Sequence, residues 1–282
     1  MLNFICVTCG TQYGESPQPP ERCPICTDQR QYVGPHGQQW TSPDQLRATH
    51  HITVGAEEAK LNGIGMAPEF AIGQRALLVL SEKGNVLWDC IPLIEDGIAA
   101  MIQGIGGLSA IAISHPHFYS SMVDWSRAFG NVPVYLHAAD KKWVMRPDPA
   151  IQFWEGDTKV LHDGLTLIRC GGHFDGGTVL HWADGNEGRG ALLTGDIIAV
   201  TPDLHHVSFM FSYPDLIPLP AEKIHHIVKA VEPFAFNRIY GGWWGRVIRE
   251  DAKAAVVRSA ERYLRAIGVK DDSACESERT KR

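Results

Sequence analysis

Eight side chains in this 282-residue sequence have the types and spacing of metal ligands. Four are cysteines in two knuckles, Cys6-Val-Thr-Cys9 and Cys23-Pro-Ile-Cys26. A Cys-x-x-Cys turn aims two sulfurs at one point, so two knuckles supply four thiolates for a tetrahedral zinc or iron site. Such a site has no open position, which leaves it a structural or electron-carrying role. The other four begin with His115-Pro116-His117. On extended backbone, residues i and i+2 point the same way, so both imidazoles can face one ion, zinc or iron suiting nitrogen ligands. His173 stands among glycines in Gly171-Gly172-His173, where backbone and imidazole can approach a centre closely. Asp196 closes the apolar run Ala191-Leu-Leu-Thr-Gly195. Singly, each has a plainer reading, His173 as a turn residue and Asp196 as a cap on the next element.

The surrounding patterns supply the elements that would position them. Leu108 to Ser114 reads as a buried strand entering the His-x-His loop, and Tyr119 to Phe129 as the helix behind it, with Met122, Trp125 and Phe129 on its packed face. Arg75–Leu80 and Val86–Cys90 read as strands joined by a turn over 82–85, and Asp96–Gln103 as a helix. Val132–Leu136 is a further strand, and Thr158–Cys170 a hairpin turning at Asp163-Gly164. Thr178–Trp182 is a strand, and Ile239-Tyr240 a strand leaving into Gly241-Gly242. The last helix spans about Glu250–Ile267, with Gly268 suited to its C′ position. A short helix starts at Ser42-Pro43-Asp44-Gln45, which offers an N-cap, a proline at N1 and a capping-box glutamine. Gly55 to Pro68 reads as a loop. The expected organisation is a cysteine unit over 1–34, a connector over 35–69, a main domain over 70–268 and a disordered tail over 269–282.

The whole chain narrows the function classes. Hydrophobic residues make up 44%, enough to bury a sizeable core. A net charge of -6 argues against a nucleic-acid footprint. The N-terminus has neither a basic stretch nor a long apolar one, and the most apolar segment, Gly97 to Ile113, is broken by Gln103 and glycines. No membrane partner is therefore expected. Seven cysteines without an export signal favour metal binding or free thiols in a reducing cytoplasm. The expected partner is a small-molecule substrate.

Taken together, the ligands and their order resemble the metallo-β-lactamase superfamily over residues 70 to 268. Asn85-Val-Leu-Trp-Asp89 is similar to that family's early strand ending in Asp, and Leu193-Thr-Gly-Asp196 to its Gly-Asp motif. The resemblance implies an α+β fold, an αββα sandwich with the metal site at one edge of two sheets. The family pattern His-x-His-x-Asp-His stands here as His115-Pro116-His117-Phe118-Tyr119-Ser120, and Gly241-Gly242 replaces its last histidine. The departures fall on the second metal position alone. The resemblance thus implies one zinc held by His115, His117, His173 and Asp196. Over residues 4–26 the chain is also similar to the rubredoxin-like domain of rubrerythrins and to zinc ribbons, with Thr27 in place of a usual glycine. That implies one zinc or iron on Cys6, Cys9, Cys23 and Cys26.

The activity so implied is metal-dependent hydrolysis, in which a metal-bound hydroxide attacks an ester, thioester or amide carbonyl. Asp196 and Tyr119 are the expected catalytic groups, Tyr119 standing where the family has a basic Asp and suited to donating a hydrogen bond. Two other readings stand beside it: a mononuclear iron redox enzyme fed by the cysteine unit, and a catalytically lapsed, metal-stabilised binding module. Phe209, Phe211, Tyr213, Trp243 and Trp244 suit either an aromatic cleft for a bulky or planar acyl substrate or plain core packing. His205 and His206 are spare ligand candidates, as are His50 and His51, and Asp175 or His181 could serve as a base.

Overall fold

The computed structural model describes residues 1–162 and 164–269. Asp163 of the expected hairpin turn and the expected tail from residue 270 onward lie outside the described residues.

The N-terminal unit is a small sheet of β1 (Leu2–Cys6), β2 (Gln12–Ser16) and β3 (Trp40–Thr41), in the order β2-β1-β3. The rest is built on two large sheets. The first contains β4 (His51–Glu58), β5 (Leu61–Ala67), β6 (Ala76–Val79), β7 (Val86–Trp88), β8 (Ala110–Ala112), β9 (Val134–His137) and β10 (Ile151–Trp154). They lie in the order β10-β9-β8-β7-β6-β5-β4. The second sheet starts with β11 (Thr158–His162), β12 (Leu165–Arg169), β13 (Thr178–Trp182) and β14 (Ala191–Gly195). After two short hairpins, β15 (Ala199–Val200) with β16 (Val207–Ser208) and β17 (Met210–Ser212) with β18 (Ile217–Pro218), it is completed by β19 (Arg238–Gly241) and β20 (Val247–Ile248). Its order is β11-β12-β13-β14-β19-β20.

Alternation along the strands explains the layering. Leu77, Val79, Val86, Trp88, Ala110 and Ala112 of the first sheet face Leu165, Leu167, Leu180, Leu193 and Tyr240 of the second in one core. The intervening Leu78, Leu87 and Ile111 pack outward against Ile102, Met122 and Trp125 of the helices Asp96–Gly104 and Met122–Ala128. On the far side, Ile168, Val179, Leu192 and Ile239 pack against the helices Ala221–Val231 and Ala252–Ala266. Helix, sheet, sheet and helix follow in that order, the expected αββα sandwich. Gly268, with φ +87°, closes the last helix as a Schellman C′ residue: its N–H donates to the Arg265 carbonyl, and that of Val269 to Leu264.

Two expectations change. The segment 35–69 is no connector, because it carries β3, a helix over Pro43–Thr49 capped by Ser42 Oγ, and β4 and β5 at the edge of the first sheet. The expected loop over 55–68 is most of that strand pair. The expected helix over Tyr119–Phe129 is a 3-10 turn at Pro116–Phe118 and then Met122–Ala128, since Ser120 sits at φ +44° and interrupts the helix.

Candidate metal centre

The predicted ligands arrive on loops that leave the C-terminal ends of β8, β12 and β14. In the second sheet, β12 and β14 each run antiparallel to β13, so both open at the same edge. His115, His117, His173 and Asp196 meet there, with one ligand atom of each lying within 4.8 Å of the others. None is more than 4% exposed. His115 Nε2 and Asp196 Oδ1 are 3.1 Å apart, a charge-pairing distance. The pair lacks hydrogen-bond geometry, and both atoms are buried without a hydrogen-bond partner. His173 Nε2 and His117 Nδ1 are 3.2 Å apart. Ligands about 2.05 Å from a tetrahedral zinc would be separated by about 3.3 Å, so this spacing fits a four-coordinate ion. The orphaned, converging lone pairs fit it as well.

Two of the imidazoles, those of His173 and His115, are held from behind. His173 Nδ1–H donates to the Phe211 carbonyl at 2.8 Å, with the Met210 carbonyl at 3.2 Å, which fixes the tautomer and leaves the Nε2 lone pair facing inward. His115 Nδ1 meets Ser114 Oγ at 3.0 Å. The Ser114 N–H donates at 2.8 Å to Asp89, which follows β7 at φ +61°. Gly172, at φ +81°, lets the His173 loop pass against the helix Ala221–Val231, since a Cβ there would meet Ile227 at 2.8 Å. Burial pushes the imidazoles of His115 and His117 well below their ordinary range and that of His173 down to about 4, so all three are neutral at pH 7, the form a metal ligand needs. Burial first, and the charge of Asp89 second, push the Asp196 carboxyl up to about 8. A cation would reverse that cost.

The cysteine site is equally compact. Cys6 and Cys26 sulfurs are 3.5 Å apart, and Cys9 and Cys23 sulfurs 3.7 Å. Zinc–sulfur bonds of about 2.3 Å give tetrahedral edges of about 3.8 Å. The N–H after each knuckle, on Gly10 and Thr27, donates back to the first cysteine's carbonyl at 2.8 and 3.0 Å. Gly10 needs φ +76°, whereas Thr27 keeps negative φ and also donates its hydroxyl to Cys23 O, so the missing glycine costs this knuckle nothing.

The cysteine unit is docked on the histidine site, which no local motif announces. Arg30 Nε donates to the His173 carbonyl at 2.7 Å. Its guanidinium lies 4.7 Å from the Phe174 ring centre and 4.8 Å from that of Phe211. Ser212 Oγ donates back to Arg30 O at 3.1 Å. Phe174 in turn packs edge-on to His117, at 5.0 Å between ring centres.

Other candidates fall away from the centre. His206 pairs with Asp203 at the surface, and His50 packs on Phe70. His181 meets the Ala235 carbonyl, and Asp175 is exposed. Tyr119 lies in the outer core at 2% exposure and borders a small cavity shared with Gln12 and Arg146, on the side of the cysteine unit. Ser120 and Gly242, where the family has histidines, are both engaged. Ser120 Oγ accepts from Gln74 Nε2 at 2.9 Å, and a Cβ on Gly242 would meet the Phe118 ring at 2.7 Å. Beside the centre opens a cavity of about 630 Å³ lined by Gly195, Met210, Tyr213, Trp243, Trp244 and Arg246, among others. Of the expected cleft aromatics, Phe209 is in the core and Phe211 stacks on Arg30.

No family model matches the chain. The uncharacterized protein YmaE of Bacillus subtilis (strain 168) is 48% identical over 269 residues, 95% of this chain and 97% of that protein. The chain belongs to the YmaE family. Among solved structures, VMB-1 superposes with a TM-score of 0.57 at 15% identity, covering 77% of this chain and 99% of its own. The metallo-β-lactamase DIM-1 gives 0.55 at 12% identity, over 77% and 98%. FIM-1 of Pseudomonas aeruginosa, a metallo-β-lactamase in its mono-zinc form, gives 0.55 at 15%, over 75% and 95%. This member of the YmaE family therefore has the metallo-β-lactamase fold, preceded by the four-cysteine unit. Among the described residues, no helix is long and apolar enough to cross a membrane.

Proposed function

We propose that the chain is a metal-dependent hydrolase with one ion in the His115/His117/His173/Asp196 centre and a structural ion in the cysteine site. The observation that carries this is the convergence of buried ligand atoms, two of them orphaned, at the sheet edge. A zinc bound there supplies water with a pKa lowered from ~15.7 to ~7 and polarises a carbonyl oxygen. The chain's own residues orient and shield it. The Met210 and Phe211 carbonyls hold the His173 ring, and Phe118 and Phe174 pack beside the imidazoles and keep bulk water off them. Tyr213 separates centre from cavity, its hydroxyl donating to the Asp196 carbonyl at 2.7 Å and its ring 5.7 Å from that of His173. An ester, thioester or amide carbonyl would approach past it. In this reading Tyr119 packs; burial holds its phenol well above its ordinary pKa, so it stays protonated and is neither a base nor a ready proton donor.

One ion is supported by the fate of the second position: Ser120 is bound to Gln74, and Phe118 fills the space a side chain at 242 would need. A second reading, iron redox chemistry fed by the cysteine unit, is favoured only by the docking of that unit through Arg30 onto His173.

The test is metal content per chain by mass spectrometry, with ester and thioester hydrolysis, for wild type and His115→Ala. Two zinc falling to one, with hydrolysis lost at least about 100-fold, is the expected result. One ion in both proteins would sink the proposal, and iron lost from the variant would put the redox reading first.

A further inference from the structure

We propose that the cavity beside the centre is a binding site for a planar aromatic anion, such as an aryl acyl compound bearing a carboxylate, which stacks on Trp244 and places its charge against Arg246. This rests on the hydrolase reading only in taking the cavity as the approach to the centre, since Gly195, Met210 and Tyr213 form both its wall and the support of Asp196 and His173.

The seat of Trp244 carries the argument. Cβ atoms built on Gly55, Gly63 and Gly65 would meet its indole at 3.0, 2.6 and 2.5 Å. Gly63 and Gly65 share a face of β5, and Gly55 of β4 pairs directly with Gly63. Glycine weakens a strand interior, and its use is accounted for where another group must approach the backbone closely. Here that group is an indole lying on a three-glycine patch. Arg75 fixes it further. Its guanidinium lies 5.1 Å from the indole centre and is itself held by an ion pair to Glu57 and by two 3.3 Å bonds to the Gly241 carbonyl. The ring is thus pinned on one side, yet Trp244 remains 39% exposed and lines the cavity. A rigid indole with a free face is a stacking platform for a flat ring.

The charge follows from Arg246. It lines the same cavity half-buried, and no carboxylate of the described residues forms an ion pair with it. Glu69, the cavity's carboxylate, is exposed at the rim, where solvent screens it. A volume of about 630 Å³ takes a fused ring with a short acyl chain.

The experiment is calorimetric titration of the zinc-loaded full chain with 2-naphthoate, set against 2-naphthol and cyclohexanecarboxylate. Zinc content is read in every sample, for wild type, Trp244→Leu, Arg246→Gln and His115→Ala. The expected result is binding of 2-naphthoate ahead of both controls, weakened about tenfold in Trp244→Leu and about tenfold or more in Arg246→Gln, with zinc unchanged in both. Binding should persist in His115→Ala. Absence of binding by wild type, or binding indifferent to both cavity substitutions, or binding lost only in His115→Ala because the carboxylate sits on the metal, would each overturn the inference. Because the probe is not hydrolysed, the two readings part cleanly. Naphthoate binding without any hydrolysis would fail the hydrolase reading alone. Zinc-dependent hydrolysis that naphthoate does not inhibit and Trp244→Leu does not change would fail this one alone.

Discussion

Replacing Arg30 by alanine should loosen a metal centre that the residue never touches. The substitution removes a 2.7 Å charge-assisted hydrogen bond to the His173 carbonyl and two cation–π contacts, to Phe174 and Phe211. The first is worth about 1.5–3 kcal/mol and the others about 0.5–1 kcal/mol each at a part-exposed site. The gross loss of roughly 2.5–5 kcal/mol is divided between docking of the cysteine unit and the orientation of His173, whose ring rests on the carbonyls of Met210 and Phe211. Outer-shell substitutions at metal sites lower affinity about 10–100-fold, which would use about half of that energy. The assay is cobalt(II) titration against a competing chelator, reading the cysteine site by its thiolate charge-transfer absorption and the histidine site by its weaker visible bands. Histidine-site affinity should fall about 10–100-fold while the cysteine site still fills, and Arg30→Lys, which keeps charge without the planar fork, should fall in between. Histidine-site affinity within about twofold of wild type in Arg30→Ala would refute the claim that the two units are mechanically linked.

Uptake of zinc at the histidine centre should release about one proton at pH 7. The Asp196 carboxyl, pushed up to about 8 by burial, holds a proton in the metal-free protein, whereas the ligand is the carboxylate. His173, down at about 4, has none to give. Affinity should therefore rise about tenfold per pH unit between about pH 5 and 8 and level off above that; calorimetry in buffers of different ionisation enthalpy checks it, and a flat profile would remove Asp196 from the ligand set. Introducing the last histidine of the metallo-β-lactamase pattern by Gly242→His should not bring in another ion, because the Phe118 ring stands 2.7 Å from the added Cβ. The variant should lose about 1–3 kcal/mol of stability by overpacking, and an additional zinc per chain would show that the second position is still usable.

The candidate ligands that converge were legible because each sits in a short local motif, although the histidine–aspartate group spans residues 115 to 196: two knuckles, a His-x-His, a histidine among glycines, an Asp ending a strand. The sheets were legible where strands are apolar on both faces, as in β6 to β8, because both faces are covered. What failed was the segment 55–68. Its glycines read as loop composition, but Gly55, Gly63 and Gly65 are bare because Trp244, some 180 residues downstream, lies on them. The alternation Gly63-x-Gly65 between apolar residues was the available signal. Arg30 carried no signal at all, since its partner is 143 residues away and an arginine after a knuckle looks like solvated surface. His206 illustrates the converse, a plausible ligand from sequence that Asp203 holds at the surface.

In the one-ion reading proposed above, the cysteine unit and the residues at the second position of the metallo-β-lactamase pattern act together. Ser120, at the final position of the His-x-His-x-Asp-His pattern, accepts from Gln74 on its hydroxyl and from the Gln12 N–H on its carbonyl, Gln12 lying in the strand that follows the first knuckle. Gln12 continues the contact through Asp124 and Arg146, with Gln12 Nε2 2.6 Å from Asp124 and Arg146 2.7 Å from the same carboxylate. The second knuckle reaches the other histidine loop through Arg30. Each histidine loop is thus clamped by one half of the cysteine unit. A two-ion centre needs loops that can offer ligands to both ions. Here the same backbone is spent on holding three imidazoles and one carboxylate around a single point, the preorganisation that the proposed one-ion site would require.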